Sequence, residues 1–226
     1  MPDRQPSRIR LVLFDAVGTL IYPDPPVAEA YFDAGSRHGS KLTVQQIDER
    51  FRHVFVGACD EEPTSDERER RRWRDIVSQV FCDVPHAREA LFEDLWKHFA
   101  QAEHWAVFAD VAPAWRSLVA AGVKVGIASN FDQRLVDICR QLPTLAQAEY
   151  VFQSAGLGYS KPHPMFFHAI QQQLEVPAEA ILMVGDSQEH DVQPARAAGW
   201  TALRIDRQCG SADTTVIRSL THISIS

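Results

Sequence analysis

The segment Arg8-Ile9-Arg10-Leu11-Val12-Leu13-Phe14-Asp15-Ala16-Val17-Gly18-Thr19-Leu20 runs from a nearly unbroken apolar stretch straight into a carboxylate. Ile9 to Phe14 is short and rich in branched side chains, the composition of a strand buried on both faces in the middle of a parallel sheet. Asp15 ends it with a charge that a core cannot hold unpaired, and Gly18 and Thr19 turn the chain. The carboxyl end of a central parallel strand is where open α/β sheets bind their ligands. Taken alone, Asp15 is equally well read as the cap of a tight turn, so the rest of the chain has to decide between the two.

Downstream the pattern changes twice. Ile21-Tyr22-Pro23-Asp24-Pro25-Pro26 reads as a connection, because proline breaks helices. Val27–Ala34, Thr43–Ala58, Glu67–Phe81 and Arg88–Glu103 then show apolar residues at threes and fours, as in Val44, Ile47, Phe51, Val54 and Phe55. Residues 21–106 therefore read as a helical block without a strand. The charged run Glu67 to Arg72 reads as the solvated face of one of these helices, supported by i,i+4 pairs.

From Phe108 onward strands and helices alternate. The strands are Val123–Ala128, Tyr150–Gln153, Ile181–Val184 and Thr201–Ile205. The helices are Val111–Ala121, Asp132–Gln141, Pro164–Leu174 and Asp191–Ala198, with Gly122 and Gly199 placed to close the first and last. The tail His222–Ser226 fits an edge strand or a frayed end equally well. Repeated βα units with right-handed crossovers imply an α/β fold with a doubly wound, Rossmann-like parallel sheet. Residues 1–20 and 107–226 would form this core, interrupted after its first strand by the helices of 21–106.

Composition narrows the function classes. The 226 residues carry a formal charge of −7, and no basic block suggests a nucleic-acid surface. Cys59, Cys82, Cys139 and Cys209 are scattered without a Cys-x-x-Cys pair, which favours reduced thiols over a disulfide framework or zinc site. Met1–Ser7 lacks an apolar signal-peptide centre, and no apolar run has the length of a membrane span. A cytoplasmic protein acting on a small molecule is expected, with no nucleic-acid or membrane partner; oligomeric state is open.

Four polar groups fall just past strand ends or at the next helix start: Asp15, Ser129-Asn130, Lys161 and Asp186. In one parallel sheet all four open onto the same edge and form a site. Phe14-Asp15-Ala16-Val17-Gly18-Thr19-Leu20, Ala128-Ser129-Asn130, Ser160-Lys161-Pro162 and Val184-Gly185-Asp186-Ser187-Gln188-Glu189-His190-Asp191 resemble, in order, the four motifs of the haloacid dehalogenase superfamily. The helical insertion resembles the C1 cap of its subfamily I. Ser129–Leu135 and Trp73–Val77 further resemble a rhythmically-expressed-gene-like branch of that superfamily. The resemblance implies Asp15 as nucleophile, forming an aspartyl intermediate. It implies the turn amides at Ala16 and Val17, with Ser129 and Asn130, as the phosphoryl cradle, and Lys161 as the neutralising cation. Mg²⁺ would be held by Asp15, the Val17 carbonyl and Asp186, with Asp191 as a direct or water-mediated ligand; an oxygen-rich donor set of this kind suits Mg²⁺. His163 and His190 read as ordinary polar neighbours. Tyr22, Arg37, His38 and Arg52 are polar groups of the insertion within plausible reach of the site, with none singled out.

One position departs from the family pattern. Where its phosphatases carry a second aspartate that protonates the leaving oxygen, this chain has Val17. Proton transfer of this kind contributes roughly 10²–10⁴-fold, or about 3–5 kcal/mol of barrier. Three readings follow: a Mg²⁺-dependent phosphohydrolase that is slow or restricted to good leaving groups, a dehalogenase whose halide needs no proton, or a catalytically attenuated phosphate- and metal-binding protein. The retained acid Asp186 favours the first over the second. His190 and Pro194 depart from the common form of the last motif and add weight to the third.

Overall fold

The computed structural model describes residues 9–57, 63–208 and 213–225. Segments 1–8, 58–62 and 209–212 and residue 226 lie outside the described residues. With them go the expectation for Met1–Ser7, the helical reading at Ala58, and Cys59 and Cys209.

Strand β1 (Leu11–Phe14) is apolar on both faces, and its four side chains are at most 1% exposed. Burial of each contributes roughly 1.5–3 kcal/mol relative to exposure. Alternation sends Val12 and Phe14 to one layer and Leu11 and Leu13 to the other. The first layer contains Trp115, Leu118 and Ile138, supplied by helices α5 (Val111–Ala120) and α6 (Arg134–Gln141). The second contains Phe166, Phe167 and Ile170 of α8 (Pro164–Gln173) and Ala195 of α9 (Gln193–Ala197).

β1 occupies the interior of a six-stranded, all-parallel sheet. Its neighbours are β4 (Lys124–Ser129) and β6 (Ile181–Gly185); outside them lie β5 (Tyr150–Gln153), β7 (Thr201–Ile205) and the two-residue β8 (Val216–Ile217), in the order β5-β4-β1-β6-β7-β8. Phe14 is in register with Ile127 on one side and Val184 on the other. That register sets the residues following all three strands at one edge. The doubly wound α/β fold expected from the alternation is what the chain adopts. The edge strand is Val216–Ile217, however, and 223–225 is irregular beyond a short 3₁₀ turn at Leu220–His222. Two residues are too few to register as a period-2 pattern.

Between β1 and α5 lie α1 (Val27–Arg37), α2 (Val44–Gly57), α3 (Asp66–Val80) and α4 (Arg88–His98). They enclose their own apolar cluster, which includes Tyr31, Ile47, Ile76, Val77, Phe81 and Phe92. Gly35 lets α1 approach that cluster closely, since a Cβ there would lie 2.4 Å from the Phe81 ring. Ser65 caps α3 by accepting the Arg68 N–H.

The expectation of a block without strands needs correction. β2 (Ile21–Pro23) and β3 (Trp105–Val107) pair antiparallel, tying the point where the chain leaves the sheet to the point where it returns. Three-residue strands carry no detectable periodicity, and Pro23 is tolerated because a two-stranded ribbon is all edge. The Glu67–Arg72 face also differs in part from the solvated reading. Arg71 pairs with Glu67 at i,i+4, but Glu69 is 6% exposed and accepts from Thr64, while Arg70 pairs with Glu93 and lies over the Phe92 and Trp96 rings.

Candidate active site

Asp15 sits one residue past β1, its N–H donating to the Val184 carbonyl of the neighbouring strand. The chain then folds around one carbonyl: Ala16 O accepts from the N–H groups of Thr19, Leu20 and Ile21. Gly18 makes this turn with φ +87°, and a Cβ there would lie 2.4 Å from Asp186 Oδ2. Glycine is thus required twice, by its backbone conformation and by the carboxylate packed over it. Gly185 has a similar role, since a Cβ there would lie 2.2 Å from Asp191 Cγ.

Lys161 arrives from the loop after α7 (Ser154–Leu157), the short helix that follows β5, and is 2% exposed. Its Nζ donates to Asp15 Oδ1 at 2.7 Å, to the Ala128 carbonyl at 3.0 Å, and to Asp191 Oδ1. Ser129, the last residue of β4, donates from Oγ to the same Asp15 oxygen at 2.9 Å. Asn130 grips the lysine's own backbone: its carboxamide donates to Lys161 O and accepts from Lys161 N, both at 2.7 Å. It therefore positions the lysine.

Asp191 was expected at the start of a helix. Instead Gln188–Val192 forms a single widened π-turn, and α9 begins only at Gln193. The N–H groups of Asp191 and Val192 both donate to Ser187 O, and Asp191 Oδ2 turns back to accept the Ser187 N–H at 3.0 Å. Such bulges recur at functional sites. Here the bulge brings a carboxylate that is 1% exposed to within reach of Lys161.

One oxygen from each of Asp15, Asp186 and Asp191 lies within 4.8 Å of the others. Three carboxylates against one ammonium leave the cluster two negative charges in excess. The protonation behaviour reflects that excess. Asp15 is raised above its ordinary 3.8 by burial and the charge of Asp191, against the opposing pull of Lys161 and Ser129. Asp186, on the exposed rim, is raised to about 6 by partial burial and by Asp15 and Asp191. Lys161 is raised as well, since the two carboxylates outweigh the effect of its burial. A divalent cation bound by hard oxygen donors matches both the charge and the donor chemistry.

The remaining expected residues are placed as follows. Val17 is half-buried and lines a cavity of about 280 Å³ between the helical block and the sheet edge. His163 caps α8, accepting the Met165 N–H, and His190 shares a hydrogen bond with Ser187. Arg37 and His38 pair with Asp94, Arg52 pairs with Asp48, and the Tyr22 ring packs at a tilt against Phe108; none of the four lines the cavity.

A support that sequence reading did not single out lies on the far side of the turn. Arg207 donates to Gly18 O at 3.1 Å and Thr19 O at 2.9 Å while forming two hydrogen bonds with Asp110. Neither residue stands in a motif, and 97 positions separate them, so no sequence signal marks the pair.

A family model for haloacid dehalogenase-like hydrolases matches residues 9–199. Among relatives, the zebrafish (Danio rerio) haloacid dehalogenase-like hydrolase domain-containing protein 3 is 28% identical over 210 residues, covering 89% of this chain and 87% of the relative. Two solved structures share the fold. The magnesium-bound YfnB of Bacillus subtilis has a TM-score of 0.76 at 17% identity, covering 95% of this chain and 96% of that one. The defluorinating L-2-haloacid dehalogenase Rha0230 has a TM-score of 0.74 at 18% identity, covering 98% and 97%. With the match running from just ahead of β1 through Gly199, the chain belongs to the haloacid dehalogenase-like hydrolases.

Proposed function

We propose that the protein is a Mg²⁺-dependent phosphohydrolase that works through an aspartyl-phosphate at Asp15, with the four helices of residues 21–106 acting as a cap over the site. The observation carrying this reading is the cluster of buried Asp15 and Asp191 with exposed Asp186 around a single lysine, two negative charges in excess at the rim of the sheet. Asp15 and Asp186, with the Val17 carbonyl, would hold the ion. Asp191 would act by orienting Lys161 or a water, because each of its oxygens already accepts a hydrogen bond. When bound, Mg²⁺ would offset the excess charge and polarise a phosphoryl oxygen.

The division of labour follows from the hydrogen bonds. Asp15 Oδ1 is held by Lys161 and Ser129, which leaves Oδ2 to attack phosphorus. A new P–O bond forms to Asp15 while the bond to the leaving oxygen breaks, its electron pair departing with that oxygen. Water then attacks the same phosphorus, restoring the carboxylate and releasing phosphate. Lys161, fixed by Asn130, keeps the nucleophile's counter-charge in place through both steps. The amides of Ala16 and Val17 would cradle the equatorial oxygens. Val17 supplies no proton, so the reaction is expected to be fast only when the leaving group departs without one.

The test is phosphate release from 4-nitrophenyl phosphate with and without Mg²⁺, for the native protein and Asp15→Asn. Turnover that needs both the metal and Asp15 supports the reading, and turnover surviving in Asp15→Asn removes Asp15 as nucleophile. The apolar side chain at position 17 also favours a second reading, a dehalogenase. Chloride release from 2-chloropropionate without Mg²⁺ would establish it. Mg²⁺ binding with no turnover of either substrate class would point to a binding protein.

A further inference from the structure

We propose that the cavity beside Val17 receives an uncharged, aromatic-sized group of the substrate, so that the enzyme acts on aryl-type phosphates rather than on sugar phosphates. This inference rests on the phosphohydrolase reading. The cavity of about 280 Å³ is walled by Tyr31, Phe51, Trp73 and Phe92 from the helices and by Val17 and Phe131 from the sheet edge. An apolar cavity of about 150 Å³ holds benzene, so there is room here for two fused rings.

The charged and amide groups on its walls are spoken for. Arg134 donates to both oxygens of Asp132, at 2.8 and 2.6 Å, and its guanidinium carbon lies 3.4 Å from the Trp96 ring. Asp132 is 2% exposed, so the pair is a closed, neutral unit. The Asn130 carboxamide is occupied at both ends by the Lys161 backbone. A carboxylate or a polyhydroxylated group entering this space would lose its water and gain aromatic faces in return, which is unfavourable. The exceptions among the polar groups are the indole N–H groups of Trp73 and Trp96, which make no hydrogen bond among the described residues, and the Tyr31 hydroxyl. Tyr31 is 1% exposed, and its hydroxyl makes no hydrogen bond among the described residues, leaving a donor for a ring substituent.

The chemistry points the same way independently. Val17 lines this cavity, so a leaving oxygen on that side meets a side chain with no proton to give. A phenolate spreads its charge into the ring and departs with the P–O electron pair, taking its proton later from water. A sugar alkoxide has no such stabilisation. Shape and leaving-group chemistry therefore select the same class of ester.

The experiment uses the full chain with Mg²⁺ and two readouts. Tryptophan fluorescence follows titration with 1-naphthol, since Trp73, Trp96 and Trp105 line the cavity. In parallel, kcat/KM is measured for 1-naphthyl, phenyl and 4-carboxyphenyl phosphates. Expected are saturable quenching by 1-naphthol, a naphthyl ester at least ~10-fold better than phenyl, and a 4-carboxyphenyl ester at least ~10-fold worse, although its carboxylate makes it the better leaving group. Turnover of all three esters without that order, and no quenching, overturns the inference while leaving the hydrolase standing. Saturable quenching with no ester hydrolysed supports the ligand assignment and removes the hydrolase reading instead.

Discussion

Replacing Val17 with aspartate restores a proton donor where the leaving oxygen is expected. Val17 is half-buried against an aromatic wall, two residues from Asp15 and near a cluster already two charges negative. Each of these features raises the pKa of an introduced carboxyl group and keeps it protonated near neutrality, as a general acid requires. The gain is that of general acid catalysis, roughly 10²–10⁴-fold or about 3–5 kcal/mol of barrier. It applies in full only where the leaving group needs the proton. In Mg²⁺-saturated assays, Val17→Asp is expected to raise kcat/KM for ethyl phosphate by about 100-fold or more and that for 4-nitrophenyl phosphate by less than about 10-fold. Burying a polar carboxyl group in place of an apolar side chain costs about 1–3 kcal/mol of stability, so circular dichroism and a Mg²⁺ titration must first show a folded, metal-binding variant. Equal gains on both esters, or no gain in such a variant, would refute the assignment of the missing donor to position 17.

Lys161→Met leaves Asp15 and Asp191 buried without their cation; a loss of about 3–5 kcal/mol is expected, read as a fall in melting temperature of roughly 6–20 °C together with loss of turnover. Because Asp186 is raised to about 6, protons compete with the metal for its carboxylate, and Mg²⁺ affinity measured by calorimetry is expected to hold above pH 6 and to fall by up to about tenfold per unit below it. Burial tends to raise Asp110, but the hydrogen bonds from Arg207 and Leu220 outweigh it and hold the group below 3.8. A depressed carboxylate contributes stability that is complete above pH 3.8 and lost as pH falls through the folded-state value, so Asp110→Asn is expected to flatten the acid limb of a stability–pH curve.

What was legible in the sequence was what local chemistry encodes. Leu11–Phe14 could be placed in the sheet interior because an apolar run without alternation has no solvent face. Asp15, Ser129, Lys161 and Asp186 could be grouped because each polar group follows a strand or opens a helix, and parallel strands share one carboxyl edge. Tertiary partnerships were not legible. Asn130 looks like a ligand-binding side chain until its carboxamide is seen clamping the Lys161 backbone. The π-turn at Gln188–Val192 depends on Asp191 folding back to Ser187, which no helical periodicity reports. Helical spacing predicted the apolar faces of Phe51, Trp73 and Phe92, but not that they meet Phe131 around a cavity. The β2–β3 ribbon and the Arg207–Asp110 support join segments 80 or more positions apart, beyond any local pattern.

The central claim is that Asp15 attacks phosphorus at a site completed by Asp186 and a divalent ion. It is tested most directly by mass spectrometry of acid-quenched protein, taken within the first turnover of 1-naphthyl phosphate and Mg²⁺. One phosphoryl adduct is expected, mapped to the peptide containing Asp15, and absent both without Mg²⁺ and in Asp186→Ala. An adduct on any other residue, or one that forms equally well without the metal, would contradict it.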